Sequence, residues 1–336
     1  MTLLLTACAS APAKTILLGE HAVVYGRPAL AAPVSGRRAR AIVSPAEPGH
    51  GITIYARDLD RCYPGAGGCV DGDGQFLQAA LRIGLCALGC PSEDLDLSIE
   101  IRSEIPVARG LGSGAAVSAA LMRALACSMK MEIDPALLSS LVYETEKLLH
   151  GSPSGIDNTT VAYERPVWFR PGESPEVIEV GAPVTLLIGD TGVPSRTRES
   201  VAMVRARREC DPATTDACFD AIGCLVARAR AALEQGDLPL LGSLMIENHA
   251  ILASLGVSSG DLDRLVSEAM AAGALGAKLS GGGMGGCMVA LAQPGRTEGI
   301  IQALLKGGAV QVIRSHIGGT GQQTSGASQV QGGQHA

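Results

Sequence analysis

The stretch 105–116 reads Ile-Pro-Val-Ala-Arg-Gly-Leu-Gly-Ser-Gly-Ala-Ala and lies between a strand-like run at 97–101 and an apolar segment at 117–129. Its glycines allow backbone N–H groups to turn toward a ligand at φ values that other residues resist. A helix that begins at Ser113 adds unpaired N–H groups and the positive end of its dipole. The stretch therefore predicts an anion site, and the expected anion is a phosphate chain.

The spacing of this loop excludes two common nucleotide motifs. A Walker A loop requires Gly-Lys followed by Ser or Thr, and the chain contains no such sequence. The dinucleotide fingerprint G-x-G-x-x-G fails because Gly114 comes one position too early. Taken alone, the stretch is also compatible with an ordinary turn between a strand and a helix.

The composition is that of a globular enzyme. At 336 residues, with 46% apolar and 18% charged residues, the chain is long enough for two domains that share a cleft. The net charge of −6 gives no electrostatic footprint for nucleic acid. No run reaches the ~18–20 apolar residues of a membrane span, and the apolar start at 2–13 lacks the charged region of a signal peptide. We expect a cytoplasmic protein with neither a nucleic-acid nor a membrane partner.

The chain has ten cysteines, and no two of them form a C-x-x-C pair. Several lie among apolar neighbours without the spacing of metal ligands. Scattered buried thiols in a reducing compartment fit this pattern better than a disulfide framework or a zinc site.

Hydrophobic periodicity and turn residues predict the elements. Strands are expected at 2–9, 14–18, 38–44, 97–101 and 185–188, with a flexible glycine-rich connection at 62–74 and helices at 75–89, 113–130 and 135–150. In the second half, helices are expected at 197–208, 215–235, 238–254 and 259–273. The β-β-α-β order that follows, at 276–280, 286–292, 296–306 and 309–314, predicts an antiparallel sheet backed by helices. Residues 317–336 are predicted to form a disordered tail.

Three further segments concentrate chemically active residues. The segment 12–26 carries a lysine, a glutamate and a histidine around a strand and a turn. The segment 146–157 is a helix end, broken by Gly and Pro, that delivers Asp157; the segment 278–287 is a glycine run between two strands. Each segment also has a purely structural interpretation: surface charge for 12–26, a helix stop for 146–157 and a long hairpin turn for 278–287.

Together with the stretch 105–116, which we call the phosphate loop, these segments resemble the motifs of the GHMP kinases. These small-molecule kinases include galactokinase, homoserine kinase, mevalonate kinase and phosphomevalonate kinase. The resemblance covers about residues 3 to 315. Within the family, Gly19-Glu-His-Ala-Val-Val-Tyr-Gly26 and His150-Gly-Ser-Pro-Ser-Gly-Ile-Asp157 are most similar to the mevalonate kinase branch. The resemblance implies an α+β, two-domain fold: an N-terminal domain over 1–180, similar to ribosomal protein S5, and a ferredoxin-like domain over 181–316, around one cleft.

The resemblance also implies roles for individual residues. Asp157 is expected to accept the proton of the attacking hydroxyl, and Lys14 to keep Asp157 ionised, since a nearby cation favours a carboxylate's charged form. The residues expected to hold the ATP phosphates are Arg109, Gly110, Leu111, Gly112, Ser113, Gly114 and Ala115. Mg²⁺ is assigned to Glu146 and Ser113. Substrate contacts are assigned to Glu20, His21 and Arg196, with Arg198 as the alternative to Arg196.

One position departs from the family pattern. The phosphate loop of these kinases usually reads Gly-Leu-Gly-Ser-Ser-Ala, and its second serine is a metal ligand. Here that position is Gly114. Either Ser113 or water replaces the serine, or Glu146 and the phosphates hold the metal without it.

The activity that the resemblance implies is ATP-dependent phosphorylation of the primary hydroxyl of mevalonate, a step of isoprenoid synthesis, by a homodimer. A related kinase acting on phosphomevalonate, on another hydroxyl of mevalonate or on a sugar is one alternative. A non-catalytic nucleotide sensor of the same fold is the other, but such a protein would be expected to lose Asp157 or Lys14, and both are present.

Overall fold

The fold is built on two β-sheets, one in each half of the chain. The computed structural model describes residues 5–90, 95–150, 153–318 and 328–329. The first sheet has eight strands: β1 Ala7–Leu18, β2 Ala29–Pro45, β3 Ile52–Ala56, β4 Arg61–Pro64, β5 Leu97–Ser103, β6 Val167–Phe169, β7 Glu176–Val177 and β12 Ser328–Gln329. The main path runs β12-β1-β2-β5-β3-β4, and β6 pairs with β2 and with β7. Only the β3–β5 pairing is parallel among the described strands.

Four helices belong to this half of the fold: α1 Gly72–Ala87, α2 Ser113–Ser128, α3 Pro135–His150 and α4 Ile156–Tyr163. The helices α2 and α4 pack on the first sheet, and α1 and α3 pack mainly on other helices. The buried face of α2 is rich in small residues, including Ala115, Ala116, Ala119, Ala120 and Ala124. Small side chains allow close approach, and α2 contacts both β1 and β2. The phosphate loop, which precedes α2, is therefore held against the first strand.

The second sheet is antiparallel throughout and has the order β11-β8-β10-β9. Its strands are β8 Val184–Asp190, β9 Gly276–Ser280, β10 Cys287–Leu291 and β11 Gln311–Ile317. Its helices are α5 Thr197–Cys210, α6 Pro212–Gln235, α7 Leu238–Ser254, α8 Gly260–Ala271 and α9 Thr297–Lys306. Three of them begin with a side-chain cap, from Asp211, Asp237 and Ser259, as expected for these residue types.

Direct hydrogen bonds join the two sheets. The Thr15 and Ser280 hydroxyls lie 2.8 Å apart, and the Ile16 N–H donates to the Ser280 hydroxyl. At a second point Ser35 donates its N–H to the hydroxyl of Ser315. Apart from β12, the strands of the first sheet all precede β8, with which the second sheet begins, whereas a domain boundary at 180/181 remains our proposal.

Most predicted elements agree with the structure, and the differences have local causes. The helix at Ser113 and the β-β-α-β ending are present, but the first two predicted strands form one strand, β1. The hairpin of β3 and β4 and the short helix α4 have too few periodic residues to be recognised in the sequence. Most of the predicted tail lies outside the described residues; at 328–329 the backbone pairs with β1.

The structure contradicts the predicted burial of the cysteines. All ten thiols are free, but only Cys287 is buried, and Cys62, Cys69, Cys86, Cys210 and Cys224 are exposed. The predicted burial is therefore wrong: an apolar neighbour in sequence does not place a cysteine on the buried face. In the described part of the chain, no helix combines the length and apolarity needed to cross a membrane.

Candidate active site

An ion pair between Lys14 and Asp157 lies at the centre of the candidate site. The Lys14 Nζ atom is 2.8 Å from Asp157 Oδ1, and the two side chains are 4% and 28% exposed. The register of β1 against β2 shifts between Pro12 and Ala13, immediately before Lys14, and such irregularities re-aim side chains. Asp157 lies in the first turn of α4, where the helix dipole favours a negative charge. The carboxylate is thus charge-paired and still accessible from solvent.

The phosphate loop packs directly on this ion pair. Lys14 donates its backbone N–H to the carbonyl oxygen of Leu111 at 3.0 Å. Gly112 has a φ of +70°, and a Cβ atom there would lie 2.9 Å from Lys14 Cγ and 3.6 Å from Asp157 Oδ2. A side chain is therefore excluded at Gly112 by both its backbone conformation and its neighbours. Because Gly112 cannot cap α2 with a side chain, the first N–H groups of the helix are suited to an anion.

Glu146 is a buried carboxyl group near the ion pair. It lies on α3, its residue is 2% exposed, and burial, reinforced by the negative charge of Asp157, raises the pKa of Glu146 to about 8, against an opposing effect of Lys14. A cation bound there would favour the ionised form. Across the described residues no three His, Cys, Asp or Glu side chains gather as a metal site. Mg²⁺ needs only one or two carboxylates beside phosphate oxygens and water, so Glu146 is compatible with the predicted metal contact, which stays a prediction.

Glu20, in the turn that follows β1, forms a buried ion pair with the second sheet. Its carboxylate pairs with Lys278 of β9, and the side chains are 1% and 0% exposed. The second carboxylate oxygen accepts a hydrogen bond from Asn248 Nδ2 at 3.3 Å. Burial lowers the pKa of Lys278, and Glu20 opposes that effect. The structure therefore places Glu20 in a contact between sheets, and its substrate contact stays a prediction.

His21 contacts the glycine segment 281–286. Its Nε2 atom lies 3.0 Å from the carbonyl oxygen of Gly282. Since a carbonyl only accepts, Nε2 carries the proton in this contact. Burial lowers the pKa of His21, which favours a neutral ring whose Nδ1 is an acceptor. A Cβ atom at Gly282 would lie 2.8 Å from Thr197 Oγ1, so the segment also packs against the start of α5.

The three predicted arginines, Arg109, Arg196 and Arg198, all have interactions within the protein. Arg109 pairs with Asp190 at 3.0 Å between Nε and Oδ1, and Nη2 donates to the carbonyl oxygen of Gly192 at 2.8 Å. Arg196 is exposed and lies 3.6 Å from Glu199. Their predicted contacts with phosphate and substrate remain predictions, as does the metal contact of Ser113, which is half-buried at the start of α2.

Sequence reasoning gave no role to Lys278, Asn248 and Asp190, although all three are buried. A signal existed for Lys278, because it lies between Ala277 and Leu279 as the one charged residue of its strand. A charged residue in a buried strand requires a partner. Its partner, Glu20, could not be identified from sequence spacing alone.

A glycine-rich turn at the start of a helix, next to an accessible aspartate that is paired with a buried lysine, is compatible with phosphoryl transfer to a small molecule. Comparison with known proteins specifies the family. Residues 75–165 match the GHMP kinases N terminal domain, and residues 229–320 match the GHMP kinases C terminal family. The chain belongs to the GHMP kinase family, which implies ATP as the phosphoryl donor.

Relatives and solved structures agree with this assignment. The chain is 36% identical to the mevalonate kinase of Pyrococcus horikoshii over 91% of this chain and 94% of that protein. It is 38% identical to the mevalonate kinase of Aeropyrum pernix, over 89% and 92%. Its fold is similar to that of L. major mevalonate kinase in complex with R-mevalonate, with a TM-score of 0.79, 27% identity and coverage of 93% and 96%. The two-domain fold inferred from the sequence is thereby confirmed.

The Glu20–Lys278 pair generates a stability prediction. Lys278→Met leaves the Glu20 carboxylate buried without its counter-charge, which we expect to cost about 3–5 kcal/mol in the free energy of unfolding. Glu20→Gln combined with Lys278→Met should recover much of that loss, because neither charge then remains buried alone. Urea unfolding measures both values. Lys147→Met is the matched control: it removes a lysine from an exposed ion pair with Glu144 and should leave the urea midpoint almost unchanged. A wild-type midpoint for Lys278→Met would contradict the predicted role of the pair.

Proposed function

We propose that this protein transfers the γ-phosphoryl group of ATP to the primary hydroxyl of mevalonate, giving 5-phosphomevalonate. The observation that carries the phosphotransfer is the Lys14–Asp157 ion pair, against which Gly112 of the phosphate loop packs. Support for mevalonate as the acceptor comes from the relatives named mevalonate kinase and from the fold shared with the L. major enzyme bound to R-mevalonate.

Asp157 and Lys14 divide the work at the attacking hydroxyl. Asp157 accepts the proton as the oxygen attacks, and the exposed part of its carboxylate leaves room for the acceptor. Lys14 holds the carboxylate in place and offers positive charge beside the reacting oxygen. Phosphoryl transfer depends mainly on positioning and charge stabilisation. Two fixed groups of opposite charge next to a phosphate loop meet that requirement.

The phosphate chain binds to the loop 109–115 through backbone N–H groups and the N-terminus of α2. Glu146 is the group best suited to hold Mg²⁺, together with phosphate oxygens. Because Gly114 replaces the second serine of the family's loop, a water molecule or the Ser113 hydroxyl would take the place of that serine's hydroxyl. Bound there, Mg²⁺ would neutralise phosphate charge. His21, through its acceptor Nδ1, and Arg196 are the proposed contacts for the acceptor's polar groups.

We also propose that the protein is a cytoplasmic homodimer with a domain boundary at 180/181. The homodimer rests on the family resemblance, and the cytoplasmic location rests on composition. We propose no nucleic-acid partner, because the net charge is −6. Light scattering of the purified protein decides the oligomeric state.

The direct test of function is ADP release by the purified protein with Mg-ATP and one of four acceptors: mevalonate, phosphomevalonate, galactose or homoserine. We expect turnover with mevalonate, and ³¹P NMR should place the new phosphate on the primary hydroxyl. Turnover with another acceptor only would contradict the proposed substrate. Absence of turnover with all four, despite ATP binding, would contradict the proposed activity.

Asp157→Asn is the matched control for that assay. It removes the base and keeps the size of the side chain, so kcat should fall by at least ~10²-fold. The affinity for a non-hydrolysable ATP analogue, measured by calorimetry, should stay close to the wild-type value. Turnover near the wild-type rate would contradict the role of Asp157.

Glu146 generates a pH prediction. Because its pKa is about 8 in the ligand-free protein, the carboxyl is protonated at neutral pH and must release that proton to bind Mg²⁺. The affinity for the Mg²⁺ complex of an ATP analogue should therefore rise with pH and level off above about 8.

Calorimetry at neutral pH in buffers of different ionisation enthalpy measures the proton release directly. The wild-type protein should release up to roughly one more proton than Glu146→Gln, whose amide has no proton to lose. Equal proton release by the two proteins would contradict Glu146 as the metal ligand.

A further inference from the structure

Arg109 belongs to the phosphate loop, but its side chain binds the other half of the molecule. Its Nε atom lies 3.0 Å from Asp190 Oδ1 and 3.2 Å from Asp190 Oδ2. Its Nη2 atom donates to the carbonyl oxygen of Gly192 at 2.8 Å. The Arg109 side chain is 18% exposed, and that of Asp190 is 2% exposed. A planar guanidinium held at two nitrogens has a fixed orientation.

Asp190 is itself rigidly held at the end of β8. Its Oδ1 atom accepts from the Gly192 N–H at 2.8 Å, and its Oδ2 atom accepts from Gln311 Nε2 at 3.1 Å. A buried carboxylate requires a compensating charge, and Arg109 supplies a cation from the first half of the chain. The phosphate loop is thereby anchored to the second sheet at a fixed point.

A backbone contact beside this ion pair reaches the segment 191–195. Ser195 donates its N–H to the carbonyl oxygen of Ala108 at 2.8 Å, and Ala108 has a φ of +56°, which is costly for a residue with a side chain. The other side of the segment is also held, since Gly286 donates its N–H to the Val193 carbonyl oxygen at 2.8 Å. The segment therefore lies between the phosphate loop and the glycine segment 281–286, and it leads directly into Arg196 and α5.

We propose that Arg109 is a positioning residue that couples the phosphate loop to the segment 191–195. Nucleotide phosphates that order the loop also order the segment, because Arg109, Asp190 and the Ala108–Ser195 bond connect the two. By linkage, an acceptor bound beside the segment strengthens nucleotide binding by the same factor. The acceptor half of this inference rests on the proposed function; the nucleotide half does not. The competing assignment is a direct contact between Arg109 and a phosphate.

Hydrogen exchange tests the coupling without any acceptor. Binding of a non-hydrolysable ATP analogue to the wild-type protein should slow amide exchange across 191–195 by at least ~5-fold, the lower end of common coupling factors. In Arg109→Ala the analogue should still bind with an affinity within a few-fold of wild type, but the slowing at 191–195 should be lost. Arg102→Ala is the matched control, because Arg102 is exposed and pairs with Glu100 on its own strand; it should retain the full effect.

Two further variants separate positioning from phosphate contact. Arg109→Lys keeps the charge but loses the planar guanidinium that contacts both Asp190 and the Gly192 carbonyl oxygen. A positioning role therefore predicts loss of the slowing, whereas a contact based on charge alone would survive. Asp190→Asn should resemble Arg109→Ala, and the double variant should add nothing to either. If Asp190→Asn does not fold, as judged by circular dichroism, the comparison of Arg109→Ala with Arg109→Lys still distinguishes a positioning role from a direct phosphate contact.

The proposal is overturned if Arg109→Ala weakens binding of the analogue more than ~10-fold while Asp190→Asn does not, because Arg109 would then bind phosphate directly. It is also overturned if the analogue slows exchange at 191–195 equally in wild type and Arg109→Ala. Calorimetry with mevalonate tests the second half: the analogue should bind at least ~5-fold more tightly with mevalonate present in wild type, and equally with and without it in Arg109→Ala. Failure of the wild-type protein to bind mevalonate contradicts the proposed acceptor and leaves the exchange result standing.

Discussion

The ion pair between Lys14 and Asp157 is the interaction on which the candidate site depends. It joins a strand of the first sheet to the N-terminus of α4, and the turn at Gly112 closes over it. Burial, reinforced by the negative charge of Asp157 and opposed by Lys14, raises the pKa of Glu146. The proposed base, the phosphate loop and the proposed metal ligand are therefore parts of one electrostatic unit. A change of any one charge alters the environment of the others.

Two ion pairs, one fully buried and one partly buried, connect this unit to the second half of the chain. Glu20, which directly precedes His21, pairs with Lys278 of β9, and Arg109–Asp190 ties the phosphate loop to β8. Buried ion pairs add little net stability, because desolvation offsets much of the attraction. Here they fix the position of the site's segments relative to the second sheet. A phosphotransferase needs such fixed positions, since its two substrates must meet in line.

The parts of the site that the sequence predicted are those governed by local rules. Glycine spacing predicted the phosphate loop, whose ligand stays a proposal. Helix-start chemistry predicted that α2 begins at Ser113, which the structure confirms. The family resemblance, rather than any local pattern, assigned roles to Lys14 and Asp157. The contacts with the second sheet could not be predicted from the sequence, because Glu20 and Lys278 are 258 positions apart and only the fold brings them together. The Arg109 side chain shows the same limit: the sequence places it in the phosphate loop, whereas its partner belongs to β8.

The most direct test of the account is a crystal structure of the protein with mevalonate and a non-hydrolysable ATP analogue. We expect the primary hydroxyl of mevalonate to lie within hydrogen-bond distance of Asp157 and beside Lys14. We expect the γ-phosphate to lie between that hydroxyl and the loop 109–115. A complex in which the hydroxyl binds away from Asp157, or in which the phosphates bind away from the glycine-rich loop, would contradict it.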